Sequence, residues 1–294
     1  MASLEGWTIG FIGLGLMGRP MARNLAAAGA AMIVHNRSAA PMEELGREGM
    51  ATAATPAEVA AKADVIITML TDTPAVELVI AGLDGVLAGV RDGAQVIDMS
   101  TTKVPVTRAL ASRLAEKGAD FIDAPVSGGT IGAEAGSLII MAGGDDAAMD
   151  RARPIFEVLG SRVTHVGGVG AGQVAKAANQ VIVGLNIGAV AEALTLAKHA
   201  GVDPARVRAA LQGGFADSRI LEVHGERMVT GKLAPGARAT VQRKDMDQAI
   251  ELAGELGIDL PATRLSRDLY DKLIEQGDGD LDHAALIKAI DPDG

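Results

Sequence analysis

The chain of 294 residues has no cysteine. Disulfides, a thiolate nucleophile and cysteine-bound zinc are therefore excluded, and the composition suits a reducing compartment such as the cytoplasm. Aromatic residues are nearly missing: one Trp, one Tyr and four Phe. Positive charge is in deficit, with 27 Lys and Arg against 37 Asp and Glu and a net charge of −10. Nucleic-acid binding calls for a basic footprint and stacking rings, so no nucleic-acid partner is expected. No segment joins a basic start, an apolar run and a small-residue cleavage site, so no secretory leader is expected. Uninterrupted apolar runs of membrane-spanning length are lacking as well. The nearest approach, 181–196, is broken by Asn186 and Glu192 and preceded by Lys176, Asn179 and Gln180. It reads as a buried helix, and no membrane partner is expected. The shortage of cations has a corollary. Any site for anionic ligands must gather the few that exist.

What is present is 48% hydrophobic residues, enough to build the cores of two domains. Through the first half, short apolar runs alternate with Ala-rich amphipathic segments. Strands are expected at 8–13, 31–35, 64–69, 95–99, 119–124, 137–142 and 163–165. Helices are expected between them, at 17–28, 56–63, 104–117 and 146–159. Such alternation indicates βαβ units and a mostly parallel sheet. It stops near Gly167, and beyond the glycine-rich run 167–172 the pattern is helical almost throughout. The expectation is an α/β domain over 1–167 and an all-α C-terminal domain over 168–294, the latter opening with a long helix from about Gln173 to His199. Gly184 and Gly188 lie one turn apart on that helix. They invite close approach of another helix, either from the same subunit or from a second one.

The run Gly13-Leu14-Gly15-Leu16-Met17-Gly18 ends the first strand and opens the first helix. A G-x-G-x-x-G in that position is the Rossmann dinucleotide fingerprint. The first glycine permits the tight turn, the second lets backbone approach a pyrophosphate, and the third lets helix pack on strand. The first domain is therefore read as a Rossmann domain. At the end of the second strand an NAD site usually carries an acid for the ribose 2′-hydroxyl. Here the residues are His35-Asn36-Arg37-Ser38. With no acid there, and Arg37 and Ser38 able to take a 2′-phosphate, NADP is the expected cofactor and NAD the alternative. Arg37 could instead only stack on the adenine.

Three further segments carry candidate chemistry. In Asp123-Ala-Pro-Val-Ser127-Gly128-Gly129, the Ser–Gly–Gly backbone can offer several N–H groups to a carboxylate, or it is a plain turn. Lys176 stands among Ala, Val and Gly with no neighbouring acid, and Asn179 and Gln180 follow on the same helical face. Desolvation lowers a lysine's pKa, which suits the residue to general-acid work near neutrality. Taken alone, though, such a lysine more often snorkels from a core edge. The run from Arg243 through Lys244 and Asp245 to Asp247 has the look of a solvated charged face.

Taken in order, the Gly10–Gly18 segment, the Asp-Ala-Pro-Val-Ser-Gly-Gly segment, the Gly170-x-Gly-x-x-x-Lys176 helix start and the Lys244-Asp245 pair resemble the β-hydroxyacid dehydrogenase family over nearly the whole chain. Segments 176–186 and 192–197 and the pair Gly213-Gly214 are similar to the branch of that family that reduces tartronate semialdehyde. The resemblance implies reversible hydride transfer between NADP(H) and a small β-hydroxyacid or its semialdehyde, with no metal. It makes Lys176 the proton donor during reduction. Ser127, Gly128 and Gly129 would hold the substrate carboxylate, and Asn179 and Gln180 would help position lysine or substrate. Leu70, Thr71 and Thr101 join the glycine loop and 36–38 around the cofactor. Lys244 would close over the cofactor, oriented by Asp245. A homodimer or homotetramer formed through the C-terminal domain is implied too. Imine reductases usually replace this lysine, and the chain is much shorter than 6-phosphogluconate dehydrogenases. A non-catalytic NADP-binding scaffold is a distant alternative that the intact Lys176 opposes. One departure stands out: where relatives carry an aromatic residue, this chain has Ala237.

Overall fold

A computed structural model describes residues 3–292. The chain divides into two compact units, the first ending at Lys176 and the second starting at Ala177. The division falls inside a helix of 29 residues, Ala171–His199.

The first unit is built on one sheet. Its strands are β1 (Thr8–Ile12), β2 (Ala31–His35), β3 (Ala51–Thr52), β4 (Val65–Thr68), β5 (Gln95–Asp98), β6 (Asp120–Asp123), β7 (Val126–Ser127), β8 (Leu138–Gly143) and β9 (Gly160–Gly167). They lie in the order β3-β2-β1-β4-β5-β6-β8-β7, with β9 also paired to β8. From β3 to β6 every pairing is parallel, while β8 runs antiparallel to both β6 and β7. The 3-2-1-4-5-6 succession is that of the Rossmann sheet, whose strand order reverses between β1 and β4.

The central strands are buried on both faces, which explains their unbroken apolar character. Alternation with period two assigns side chains to the two cores. Ile9 and Phe11 of β1 and Val65 and Ile67 of β4 fill one, while Ile12 and Ile66 fill the other. Gly10 sits where a Cβ would run into Val59, so the helix Pro56–Ala60 packs directly on the β1 backbone. At roughly 1.5–3 kcal/mol per buried aliphatic side chain, these two layers hold the ends of β1, β4, β5 and β6 in register. Those ends carry the candidate site.

Most of the expected strands and helices are found within one or two residues of their expected bounds. The expected strand 163–165 extends over Gly160–Gly167. It lies beside β8 only and leaves Ser161, Arg162 and Thr164 exposed, so it lacks the apolar run that marks a central strand. Two-residue β3 and β7 have no period to read.

The second unit is helical, with helices Pro204–Leu211, Arg219–Thr230, Ala239–Glu255, Pro261–Glu275 and Leu286–Ile290 following the long one. Ile187, Val190, Ala191 and Leu194 of the long helix are buried with Leu221, Met246, Tyr270, Leu273 and Leu286. By length and composition the long helix could cross a membrane. Its buried stripe nonetheless forms part of this core. A Cβ at Gly184 would press on Met246 and Gln242, so this glycine serves packing within the chain. At Gly188 the space is ordinary, with Ser266 Oγ 3.6 Å away.

Candidate active site

The glycine loop lies at the ends of β1 and β4. Gly13 has φ +103°, and a Cβ there would strike the Met69 carbonyl and lie 2.8 Å from Leu70 Cδ2. Gly18, the first residue of the helix Gly18–Ala27, would put a Cβ into the Gly13 carbonyl and 3.0 Å from the Phe11 ring. These two glycines are thus demanded by the fold. Gly15 differs, because nothing lies within 4 Å of its Cβ position. A loop closed at both ends and open in its middle is the cradle that a pyrophosphate needs. Asn36 Oδ1 accepts from Leu14 N at 3.0 Å, and Asn36 Nδ2 donates to Ser38 Oγ at 2.8 Å. Asn36 therefore ties the end of β2 to the loop, which leaves Arg37 exposed. Leu16 is exposed and Met17 half-buried on the rim. Leu70 N donates to Ser100 Oγ at 2.9 Å, and Thr71 Oγ1 to Asp72 at 3.1 Å. The open loop fits a dinucleotide, and Arg37, with no acid at 36–38, is exposed at the end of β2.

A second group of bonds joins β5, β6 and the start of the long helix. Asp98 accepts from Thr68 Oγ1 at 2.8 Å and Ser100 N at 3.1 Å, and burial raises its pKa. Asp123, its register partner on β6, accepts from Gly170 N at 2.7 Å and Gln173 N at 2.8 Å. Burial, opposed by those N–H groups and reinforced by Asp98, pushes Asp123 up to about 6. Gln173 reaches the other way. Its Oε1 accepts from Thr102 N at 3.0 Å and its Nε2 donates to Ser100 O at 2.9 Å. The half-buried Thr101 is thereby held between two anchored neighbours.

Lys176, one turn beyond Gln173, is 8% exposed, and its Nζ donates to Val126 O at 2.9 Å. Val126 precedes Ser127, and the next two residues have φ +132° (Gly128) and +59° (Gly129). Only glycine accepts such a pair readily, and the turn leads into the short helix Gly129–Glu134. Lysine head, Ser127 hydroxyl and glycine backbone therefore belong to one neighbourhood of the first unit.

In the second unit Asn179 Nδ2 donates to Gln180 Oε1 at 2.8 Å, and Gln180 Nε2 donates to Asp245 Oδ2 at 2.6 Å and Gln242 Oε1 at 3.1 Å. Lys244 Nζ pairs with Asp245 Oδ1 at 3.0 Å. The charged run 243–247 is therefore not the solvated face its composition suggests. Asp245 is buried, and Arg243 pairs with Asp247 and, at 2.7 Å, with Asp271.

Asp123 and Gln173 went unmarked in the sequence because their partners lie 47 to 73 residues away. So did His224, Asp282 and His283. The two imidazole Nε2 atoms are 3.2 Å apart, and His224 Nδ1 is 3.4 Å from Asp282. These groups could in principle ligate a metal. Asp282, however, already accepts from Gly236 N at 2.9 Å, Ala237 N at 3.2 Å, Ala284 N at 3.1 Å and Arg227 at 2.9 Å. Its Oδ2 is thus engaged in fixing the 236–237 turn and Arg227.

Comparison with known proteins adds an independent line. A family model described as the NAD binding domain of 6-phosphogluconate dehydrogenase matches residues 8–167. Another, described as NAD-binding of NADP-dependent 3-hydroxyisobutyrate dehydrogenase, matches 170–290. The chain is 46% identical over 284 residues to 2-hydroxy-3-oxopropionate reductase of Escherichia coli (strain K12), covering 96% of this chain and 97% of that one. Among solved structures, 3-hydroxyisobutyrate dehydrogenase of Mycobacterium tuberculosis with L-serine superposes with a TM-score of 0.88 at 31% identity, covering 97% of this chain and 99% of that one. Psf3 in complex with NADP+ and 2-OPP gives 0.87 at 26% identity, over 96% and 100%.

Proposed function

The chain belongs to the 3-hydroxyisobutyrate dehydrogenase-like family of NAD(P)-dependent oxidoreductases, and from that premise we propose that it reduces tartronate semialdehyde to D-glycerate with NADPH, reversibly. The observation that carries the reading is the buried Lys176 with its Nζ beside the Ser127–Gly129 turn. When bound, the nicotinamide supplies the hydride. The chain's own residues do the rest. The backbone N–H groups and hydroxyl of the Ser–Gly–Gly turn hold the substrate carboxylate and so fix the carbonyl relative to Lys176. The Lys176 ammonium hydrogen-bonds the carbonyl oxygen and gives it a proton as negative charge develops. Burial keeps water from competing for that proton. In the oxidative direction the amine takes the proton back.

The substrate class is supported by the turn, which offers donors for one carboxylate, and tartronate semialdehyde in particular by the similarity to 2-hydroxy-3-oxopropionate reductase. 3-Hydroxyisobutyrate, L-serine and L-threonate are the runners-up, since this chain has Ala237 where relatives carry an aromatic residue. NADP is favoured by Arg37 and by the absence of an acid at 36–38. Asn179 and Gln180 are assigned to positioning, and Lys244, braced by Asp245, to the cofactor. The second unit exposes Ile182, Leu196, Phe215 and Leu265, which supports a homo-oligomer formed through this domain. The cysteine-free composition fits the cytoplasm. The test is NADPH oxidation followed with a panel of small semialdehydes. Tartronate semialdehyde is expected to give the highest kcat/KM, and no turnover on any member of the panel would refute the assignment.

A further inference from the structure

We infer that Asp123 is a positioning residue for Lys176: its ionised carboxylate fastens the first turn of the long helix, and with it the lysine, to the strand segment that leads into the Ser127–Gly129 turn. This rests on the reading of Lys176 as the proton donor.

The geometry is a double grip. Asp123 takes the N–H of Gly170 on Oδ1 at 2.7 Å and that of Gln173 on Oδ2 at 2.8 Å. Three residues on, Val126 O takes the Lys176 Nζ at 2.9 Å. One short segment thus holds both the start of the helix and the head of its lysine. There is no slack between them. A Cβ on Gly172 would come within 2.8 Å of Asp123 Oδ2, and one on Gly143 within 2.7 Å of Oδ1. The helix N-terminus is jammed onto the carboxylate.

A helix N-terminus can be capped by a neutral Ser, Thr or Asn, which buries no charge. Here a fully buried carboxylate does the work, beside a second one, Asp98. The difference matters because a carboxylate only accepts hydrogen bonds. A protonated carboxyl turns one of its oxygens into a donor. That oxygen becomes a much weaker acceptor, so one of the two N–H bonds to the carboxyl is weakened. The grip is therefore strongest in the ionised form and loosens on protonation. With the carboxyl pushed up to about 6 by burial, that change falls just below neutrality. Ionisable groups on the elements around it include Asp98 on β5, Arg108, whose Nε would lie 2.9 Å from a Cβ on Gly170, His165 on β9, which bonds Gly144 O at 2.8 Å, and Lys176 itself. Asp98 is occupied by Thr68, Ser100 and Thr102.

Asparagine at 123 mimics the protonated acid at every pH, with one acceptor and one donor. The experiment compares wild type, Asp123→Asn and Lys176→Ala as full-length enzymes with NADPH. It measures kcat and KM for tartronate semialdehyde from pH 5 to 8, and NADPH affinity. Wild-type kcat should fall on the acid side of about pH 6 toward the level of Asp123→Asn. The variant should sit roughly 10–100-fold lower at pH 7.5 with no acid limb in that range, and with KM and NADPH affinity within about threefold of wild type. A variant with wild-type kcat, beside an inactive Lys176→Ala, overturns the inference. If Lys176→Ala is itself active, the inference falls together with the reading beneath it. Should Asp123→Asn not fold, amide exchange on wild type decides. Protection factors of Gly170 and Gln173 should drop through pH 6 while those of β5 and β6 hold, and unchanged protection contradicts the claim.

Discussion

Lys176 Nζ donates a 2.9 Å hydrogen bond to the carbonyl of Val126, the residue immediately before Ser127. The bond sets the lysine head at the entrance of a turn with two consecutive positive-φ glycines, Gly128 and Gly129. Proton donor and carboxylate cradle are thereby placed by the same stretch of chain. A shift of either would be felt by both, which ties the precision of the site to β6 and the long helix and not to a mobile loop.

Cofactor choice should follow Arg37. Replacing it by Asp puts a negative charge where a 2′-phosphate would sit and restores the acid that a ribose 2′-hydroxyl prefers. Arg37→Asp is expected to weaken NADPH binding by about tenfold or more and to move preference toward NADH. Dissociation constants for the two cofactors in both proteins measure it. A wild type that prefers NADH tenfold would contradict the role given to 36–38.

Much of this was legible in the sequence, for reasons that differ by residue. The glycine loop could be read because Gly13, Gly15 and Gly18 answer to local backbone geometry and stand next to an apolar run of period two. Lys176 could be singled out because no acid lies near it in sequence. Asp123 and Gln173 could not, since what defines them is a set of backbone donors and acceptors on other strands. Asp245 looks solvated from its sequence neighbours for the same reason: its partner Gln180 is 65 residues away. Where a role depends on one turn of helix or strand, periodicity reveals it. Where it depends on register between distant segments, only the fold does.

Asp282 should make stability fall in acid. Burial alone would raise its pKa, but His224, His283 and the N–H groups of Ala284 and Gly236 outweigh that and hold it well below the carboxylate range. A group with a depressed folded pKa contributes stability above its unfolded value of about 3.9, and loses it as pH falls. Asp282→Asn leaves Arg227 without its buried partner, so a loss of about 3 kcal/mol is expected at pH 7. The gap to wild type should narrow below about pH 4. Urea unfolding at pH 7 and pH 3 measures it, and a gap independent of pH would show that the charge of Asp282 is not what stabilises the 236–237 turn.

Ala237 should set substrate breadth. Its N–H is held by Asp282, so the position is fixed in space. An apolar pocket discriminates by only about 1–3 kcal/mol per methylene-sized change, and a site lacking a ring is expected to accept C3 and C4 acids alike. Ala237→Phe should narrow the range toward the smallest substrate. The ratio of kcat/KM for tartronate semialdehyde to that for a bulkier semialdehyde reports this, and an unchanged ratio removes position 237 from the pocket.

The central claim is that Lys176 protonates the carbonyl oxygen of a carboxylate-anchored semialdehyde. Its most direct test is the rate of NADPH oxidation by tartronate semialdehyde in wild type and Lys176→Ala, with NADPH affinity measured on both. The account predicts a loss in kcat of about 10²–10⁴ with NADPH affinity unchanged. Turnover by Lys176→Ala close to that of wild type would contradict it.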